Sequence, residues 1–168
     1  MPDIHQELAI WASVETVYGA LSTQTGLSAW WTPGVTTNGE VGSIARFPFS
    51  ATYFKDMRIT ELQAPNLVRW HCLEGAEEWI GTDLSFRLTG GNQATLSRSH
   101  PEVGGQLGGL DALAPCTILD FRHDNWRVDT PMFAECSYTW GQFLRSLKLY
   151  CETGKPRLSP NVHSAVKP

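Results

Sequence analysis

The stretch from 130 to 156 leaves this 168-residue chain few choices. Thr130 can accept the free N–H groups of a helix start, Pro131 suits a first helical position that needs no N–H, and Gly154 and Pro156 end the run. Between them Phe133, Cys136, Trp140, Phe143, Leu144, Leu147 and Cys151 recur at helical intervals, so the spacing predicts a helix over 132–153 with one apolar stripe. A stripe roughly 30 Å long has to be covered by a broad apolar surface. The remainder of the chain must supply that surface.

Residues 35 to 123 read as an antiparallel meander, with six runs at about 35–39, 43–49, 53–63, 67–74, 78–88 and 116–123. Asn-Gly, Gly-Ser, Ala-Pro-Asn, Glu-Gly and Gly-Gly-Asn separate them. Alternation gives each strand one apolar row: Val68, Trp70 and Cys72; Ile80, Thr82, Leu84, Phe86 and Leu88; Thr117, Leu119 and Phe121, ending at His123. Ahead of the meander, 4–11 reads as a strand with Gln6 the polar exception in its apolar row. Ser13 then caps a helix over 14–22, and a second short helix runs to Trp31. The 27-residue stretch 89–115 is too long for a hairpin. It reads as an inserted excursion, with a weak strand at 94–99 and a short helix near 106–113. Residues 1–156 are expected to form a single domain, and 157–168, with little apolar content, a flexible tail.

Composition narrows the partners. Thirteen basic against 17 acidic residues, with no basic run interleaved with aromatics, exclude a nucleic-acid face. No stretch reaches the ~20 apolar residues of a membrane span, and a cytoplasmic protein is expected. Cys72, Cys116, Cys136 and Cys151 form no C-x-x-C pair and no two histidines stand at ligand spacing, so neither a disulfide framework, a metal site nor a cofactor is expected. The seven tryptophans, at 11, 30, 31, 70, 79, 126 and 140, exceed what one small core needs. They point either to a lined cavity or to an interaction surface.

Residues 17–31 (VYGALSTQTGLSAWW), 78–86 (EWIGTDLSF), 117–126 (TILDFRHDNW) and 140–154 (WGQFLRSLKLYCETG) resemble, in order, the bacterial homologues of the heat-shock protein 90 ATPase activator, a branch of the SRPBCC or START-like superfamily. The resemblance implies an α+β helix-grip fold, a curved antiparallel sheet wrapped around the long C-terminal helix. Between them it implies a hydrophobic cavity that in relatives takes lipids, sterols or polyketides. Relatives join the fifth and sixth sheet strands by a short turn, so the 89–115 excursion is particular to this chain.

The candidate ligand-binding residues are Trp30, Trp31, Trp70, Thr82, Phe86, Phe121, His123, Trp140, Phe143 and Leu144. A row of rings with few polar anchors suits an apolar ligand, and equally an interlocked core. Trp126 is expected at the rim, and Trp11 and Trp79 on outer rows. His123 and Glu78 are the candidate catalytic pair, as acid/base groups of a polyketide cyclase or dehydratase; each also has a plainer reading, His123 bonded to backbone and Glu78 exposed at a strand end. Three functions follow: binding of a small hydrophobic or aromatic ligand, cyclase-like catalysis, or docking of a chaperone or second subunit on Leu107, Leu110 and Leu113 of the excursion.

Overall fold

The structure, a computed structural model, describes residues 1–158; most of the expected flexible tail, from 159 onward, lies outside the described residues. The order is β1 (Ile4–Ile10), α1 (Val14–Ser22), α2 (Gln24–Trp30), β2 (Ile44–Pro48), β3 (Phe54–Gln63), β4 (Leu67–Glu74), β5 (Asp83–Asn92), α3 (Gln93–Ser99), a 3-10 turn Pro101–Val103, α4 (Gly104–Leu107), β6 (Pro115–Asp124) and α5 (Pro131–Thr153). The caps read from the sequence are made. Ser13 Oγ accepts from Thr16 N–H at 3.2 Å, and Thr130 Oγ1 from Phe133 N–H at 3.2 Å, while Gly154, at φ +72°, closes α5 in the left-handed conformation.

The six strands form one antiparallel sheet in the order β1-β6-β5-β4-β3-β2. This corrects the expected helix-grip wrap. The sheet is open, with β1 and β2 as its two edges, and it does not curl around α5. The helix backbone runs nearest β1, α1 and α2, toward one side of the sheet. The physical reason lies in the side chains. Indole and phenyl rings bridge from α5 and α2 to the distant strands, so the strands have no need to bend around the helix to bury their apolar rows. Gln6, the exception in the β1 row, is used in the same way: its Nε2 donates to the Ser137 carbonyl of α5 at 3.0 Å.

Two glycines set how closely the helices approach. A methyl group on Gly90 of β5 would come within 2.7 Å of Val14 Cβ, and one on Gly26 of α2 within 2.6 Å of Ala20 Cα. The first lets α1 lie on the sheet and the second lets α2 lie on α1. Gly90-Gly91 is therefore a strand segment under a helix and not the expected turn, and β5 runs on to Asn92. At its other end β5 starts at Asp83, because 79–82 is a turn in which Thr82 N–H bonds the Trp79 carbonyl at 2.9 Å and Gly81 has φ +89°. The strand expected at 35–39 is reduced to a bridge between Thr36 and Arg46.

The excursion occupies 93–114. Its expected strand at 94–99 is α3, because Asn92 caps it by accepting from Thr95 N–H at 2.8 Å, and its expected helix lies earlier, at Gly104–Leu107. Leu96, Val103 and Leu107 make a second small core with Ala9, Cys116 and Ile118, on the face of β1 and β6 opposite the main core. Alternation makes that face polar elsewhere. Here the excursion covers it.

Candidate functional site

The rings converge on Trp31. Its ring centre lies 4.5 Å from Phe47, 5.3 Å from Trp140, 5.7 Å from Phe49, 5.9 Å from Trp70 and 6.0 Å from Trp30. Phe121 lies 4.4 Å from Trp140 and 5.1 Å from Phe86. Trp30, Trp31, Trp70, Phe86, Phe121, Trp140 and Leu144 are at most 1% exposed, and Phe143 packs against the same cluster. The structure thus gathers the candidate ring residues into one closed, interlocking cluster. Trp79 belongs to it as well, 6.5 Å from Trp31 and 6.0 Å from Trp140, and not to an outer row. The sequence reading placed it outward by extending strand alternation into a turn. Trp11 stays on the surface, 42% exposed.

A hydrogen-bond chain crosses the cluster. Trp140 Nε1 donates to His123 Nδ1 at 3.1 Å, His123 Nε2 lies 2.8 Å from Thr82 Oγ1, and Thr82 Oγ1 donates to the Trp79 carbonyl at 2.6 Å. An indole N–H only donates, so Nδ1 accepts; Nε2 therefore carries the imidazole proton and gives it to Thr82, whose own proton goes to the carbonyl. Each link has one role, and the imidazole is neutral. Burial, followed by the nearby Lys55 charge, pushes His123 down to about 3.

Lys55 brings a charge close to this hydrogen-bond chain. It is 8% exposed, with Nζ 4.2 Å from the centre of the Phe49 ring, 4.5 Å from Trp79 and 4.6 Å from Tyr53, and it donates to the Tyr53 hydroxyl at 3.0 Å. Among the described residues no carboxylate lies at ion-pair distance from it. Three ring faces take the place of a counter-ion. Burial keeps the thiols protonated, pushing Cys72 and Cys136 up to about 11 and Cys151 up to about 12.

Glu78 has a different setting. It is exposed, and its Oε2 accepts from Thr130 Oγ1 at 2.8 Å, tying the 75–82 turn to the start of α5. With Glu77, Trp126, Arg127 and Val128 it lines a surface pocket of about 240 Å³. Trp126 is the wall between the two settings, because it lines this pocket and also lies 4.7 Å from the His123 ring. The expected catalytic pair is therefore split: His123 lies inside with both nitrogens engaged, and Glu78 lies outside. Val128 of the pocket lining, Ile80 of the 75–82 turn and Met132 in the first turn of α5 are exposed apolar side chains. Among the described residues, the buried N–H groups of Trp31 and Trp126 find no hydrogen-bond partner.

Of the excursion leucines, Leu107 is fully buried, Leu110 packs on the second core, and Leu113 is 79% exposed. They do not form one docking stripe. The excursion instead brings together three groups that spacing along the chain did not connect. One ligand atom each from Glu7, His100 and Glu102 lie within 4.8 Å of one another. The only sequence signal was His100-Pro101-Glu102, and its partner lies more than ninety residues away on β1.

The fold has close counterparts. The Aha1 dimer from Colwellia psychrerythraea, solved in solution, is 32% identical with a TM-score of 0.71, over 92% of this chain and 99% of that one. The chain belongs to the Aha1-like family. More distant structures share the fold: a Mesorhizobium loti protein (14% identity, TM-score 0.64, 88% of this chain and 95% of that) and CalU16 from Micromonospora echinospora (13%, 0.66, 98% and 73%). No family model matches the chain, and no curated protein matches it by sequence. Within this Aha1-like fold the buried aromatic cluster suits a ligand- or partner-binding domain. No helix among the described residues is long and apolar enough to cross a membrane.

Proposed function

We propose that this Aha1-like domain is a protein-interaction module whose partner is a chaperone of the heat-shock protein 90 class. The observation that carries the reading is the state of the interior. The rings that would line a ligand cavity are in contact with one another and, apart from the half-buried Phe143, at most a few per cent exposed, and the titratable group among them, His123, is engaged with Trp140 and Thr82. Catalysis by His123 has no support from this arrangement, since a base with both nitrogens bonded and its proton affinity lowered has no route to a substrate.

The docking end is where the 75–82 turn, the 125–130 loop and the start of α5 meet. Ile80, Val128 and Met132 give apolar contact there, and Glu77, Glu78 and Arg127 give charges of both signs around the pocket. Titration of the purified chain into a bacterial heat-shock protein 90, followed by calorimetry and by the chaperone's ATPase rate, tests this. Saturable binding is expected, weakened by Val128→Glu and Met132→Glu with the fold unchanged by circular dichroism. A Kd weaker than about 1 mM would remove the proposal, and self-association without chaperone binding would assign the surface to a second copy. Saturable uptake of an apolar dye by the native fold would return the ligand-carrier reading.

A further inference from the structure

We propose that Glu7, His100 and Glu102 form a binding site for a divalent transition metal, with zinc the best match to one imidazole and two carboxylates. Three separate elements supply the donors: Glu7 from the edge strand β1, His100 from the end of α3, and Glu102 from the 3-10 turn that follows. Their ligand atoms lie within 4.8 Å of one another. Tetrahedral zinc with bonds of about 2.0–2.2 Å holds its ligands some 3.3 Å apart, a distance that small side-chain rotations reach on a partly solvated surface. Three protein donors leave a fourth position for water.

The surroundings point to a cation independently of that spacing. Glu7 stands directly opposite Asp120 in the β1–β6 register, and His5 and Arg122, each 3.3 Å from Asp120, are spent on that carboxylate and not on Glu7. Glu102 then adds a second carboxylate beside Glu7. His100 Nδ1 lies 2.9 Å from Ser99 Oγ, whose own proton goes to the Thr95 carbonyl at 3.1 Å, so the ring can give an Nδ1 proton to Ser99 and keep Nε2 as a lone pair for a cation. A bound cation relieves the carboxylate repulsion. It also clips the excursion to the strand whose outer face the second core covers.

The four cysteines do not compete for the metal. All are buried, and burial raises the thiols of Cys72, Cys116, Cys136 and Cys151. Calorimetric titration of the full chain with zinc chloride at neutral pH is expected to give one ion per chain. Glu102→Gln and His100→Gln are each expected to weaken binding at least ten-fold, while His71→Gln, on β4 three strands away from β1, leaves it unchanged. Cobalt(II) in place of zinc should show ligand-field bands without a thiolate charge-transfer band. Absence of binding, a thiolate band, or undiminished binding by Glu102→Gln overturns the site. Should His100→Gln fail to fold, Glu102→Gln, at an exposed position, decides alone.

Discussion

Acidification isolates the contribution of one side chain, His123. In the unfolded chain its imidazole titrates near 6.5, whereas in the fold burial and the Lys55 charge hold it down to about 3. Between those values the unfolded state binds the extra proton, so stability is full above pH 6.5 and falls as pH falls toward 3. At about 1.36 kcal/mol per pH unit, moving from pH 7 to pH 5 removes about 2 kcal/mol through this group. The geometry gives the cause. A proton on Nδ1 would face the Trp140 N–H that now donates to it, and the new charge would share the cluster with the Lys55 ammonium. Urea denaturation at pH 7, 6 and 5, at constant salt, measures the slope. His123→Asn keeps an acceptor for Trp140 and removes the titration, so its stability is lower at pH 7 but loses about 2 kcal/mol less than the wild type on reaching pH 5. Equal slopes in the two proteins, or a His123 ring that titrates near 6.5 by NMR, would refute the reasoning.

Removing the Lys55 charge should act on the same histidine. Lys55→Met keeps the bulk among Phe49, Tyr53 and Trp79, and the His123 titration followed by NMR should move up, because one of its two depressing causes is gone. Gly90→Ala should cost about 1–3 kcal/mol by forcing a methyl group against Val14, and Val14→Ala in the same chain should recover part of that loss in thermal or urea melts. Thr130→Ala removes the α5 cap and the bond to Glu78, and a loss of about 1 kcal/mol is expected by denaturation. Trp31→Ala should cost about 3–5 kcal/mol and open an apolar hole at the centre of the ring cluster. Indole should then bind the variant and raise its melting temperature, while leaving the wild type unchanged.

What could be read from the sequence divides along a physical line. Wherever one local rule governs a segment, the reading and the structure agree: α5 with its cap, proline and terminal glycine, β1, α1 with Ser13, and β3 and β4 between their turns. Local rules failed where tertiary contact decides. Gly90-Gly91 has the signature of a turn, yet it is a strand because α1 and Leu96 press on it, and no neighbouring residue announces that pressure. Alternation carried through 78–82 points Trp79 outward, whereas the Thr82–Trp79 turn swings its ring inward. The wrap of the sheet is what family likeness implies, and an open sheet suffices because six buried indoles leave little for strand curvature to enclose.

The candidate site follows the same division. The identity of the rings and of His123 is visible in strand and helix periodicity, but their mutual state is not. Periodicity says that Trp30, Trp31, Trp70 and Trp140 share an interior and leaves open whether they surround a space or fill it. Hydrogen bonding constrains the imidazole at the centre of the question. A histidine facing a wet cavity would keep one nitrogen toward solvent or ligand and a proton affinity near its ordinary value. Here Trp140 and Thr82 take both nitrogens, and the neutral tautomer is the one that satisfies both partners. Opening a cavity large enough for a ligand would separate at least one of those pairs and leave a buried donor or acceptor without a partner, at about 1–3 kcal/mol for each. The polar chain therefore works with the ring packing to hold the interior closed.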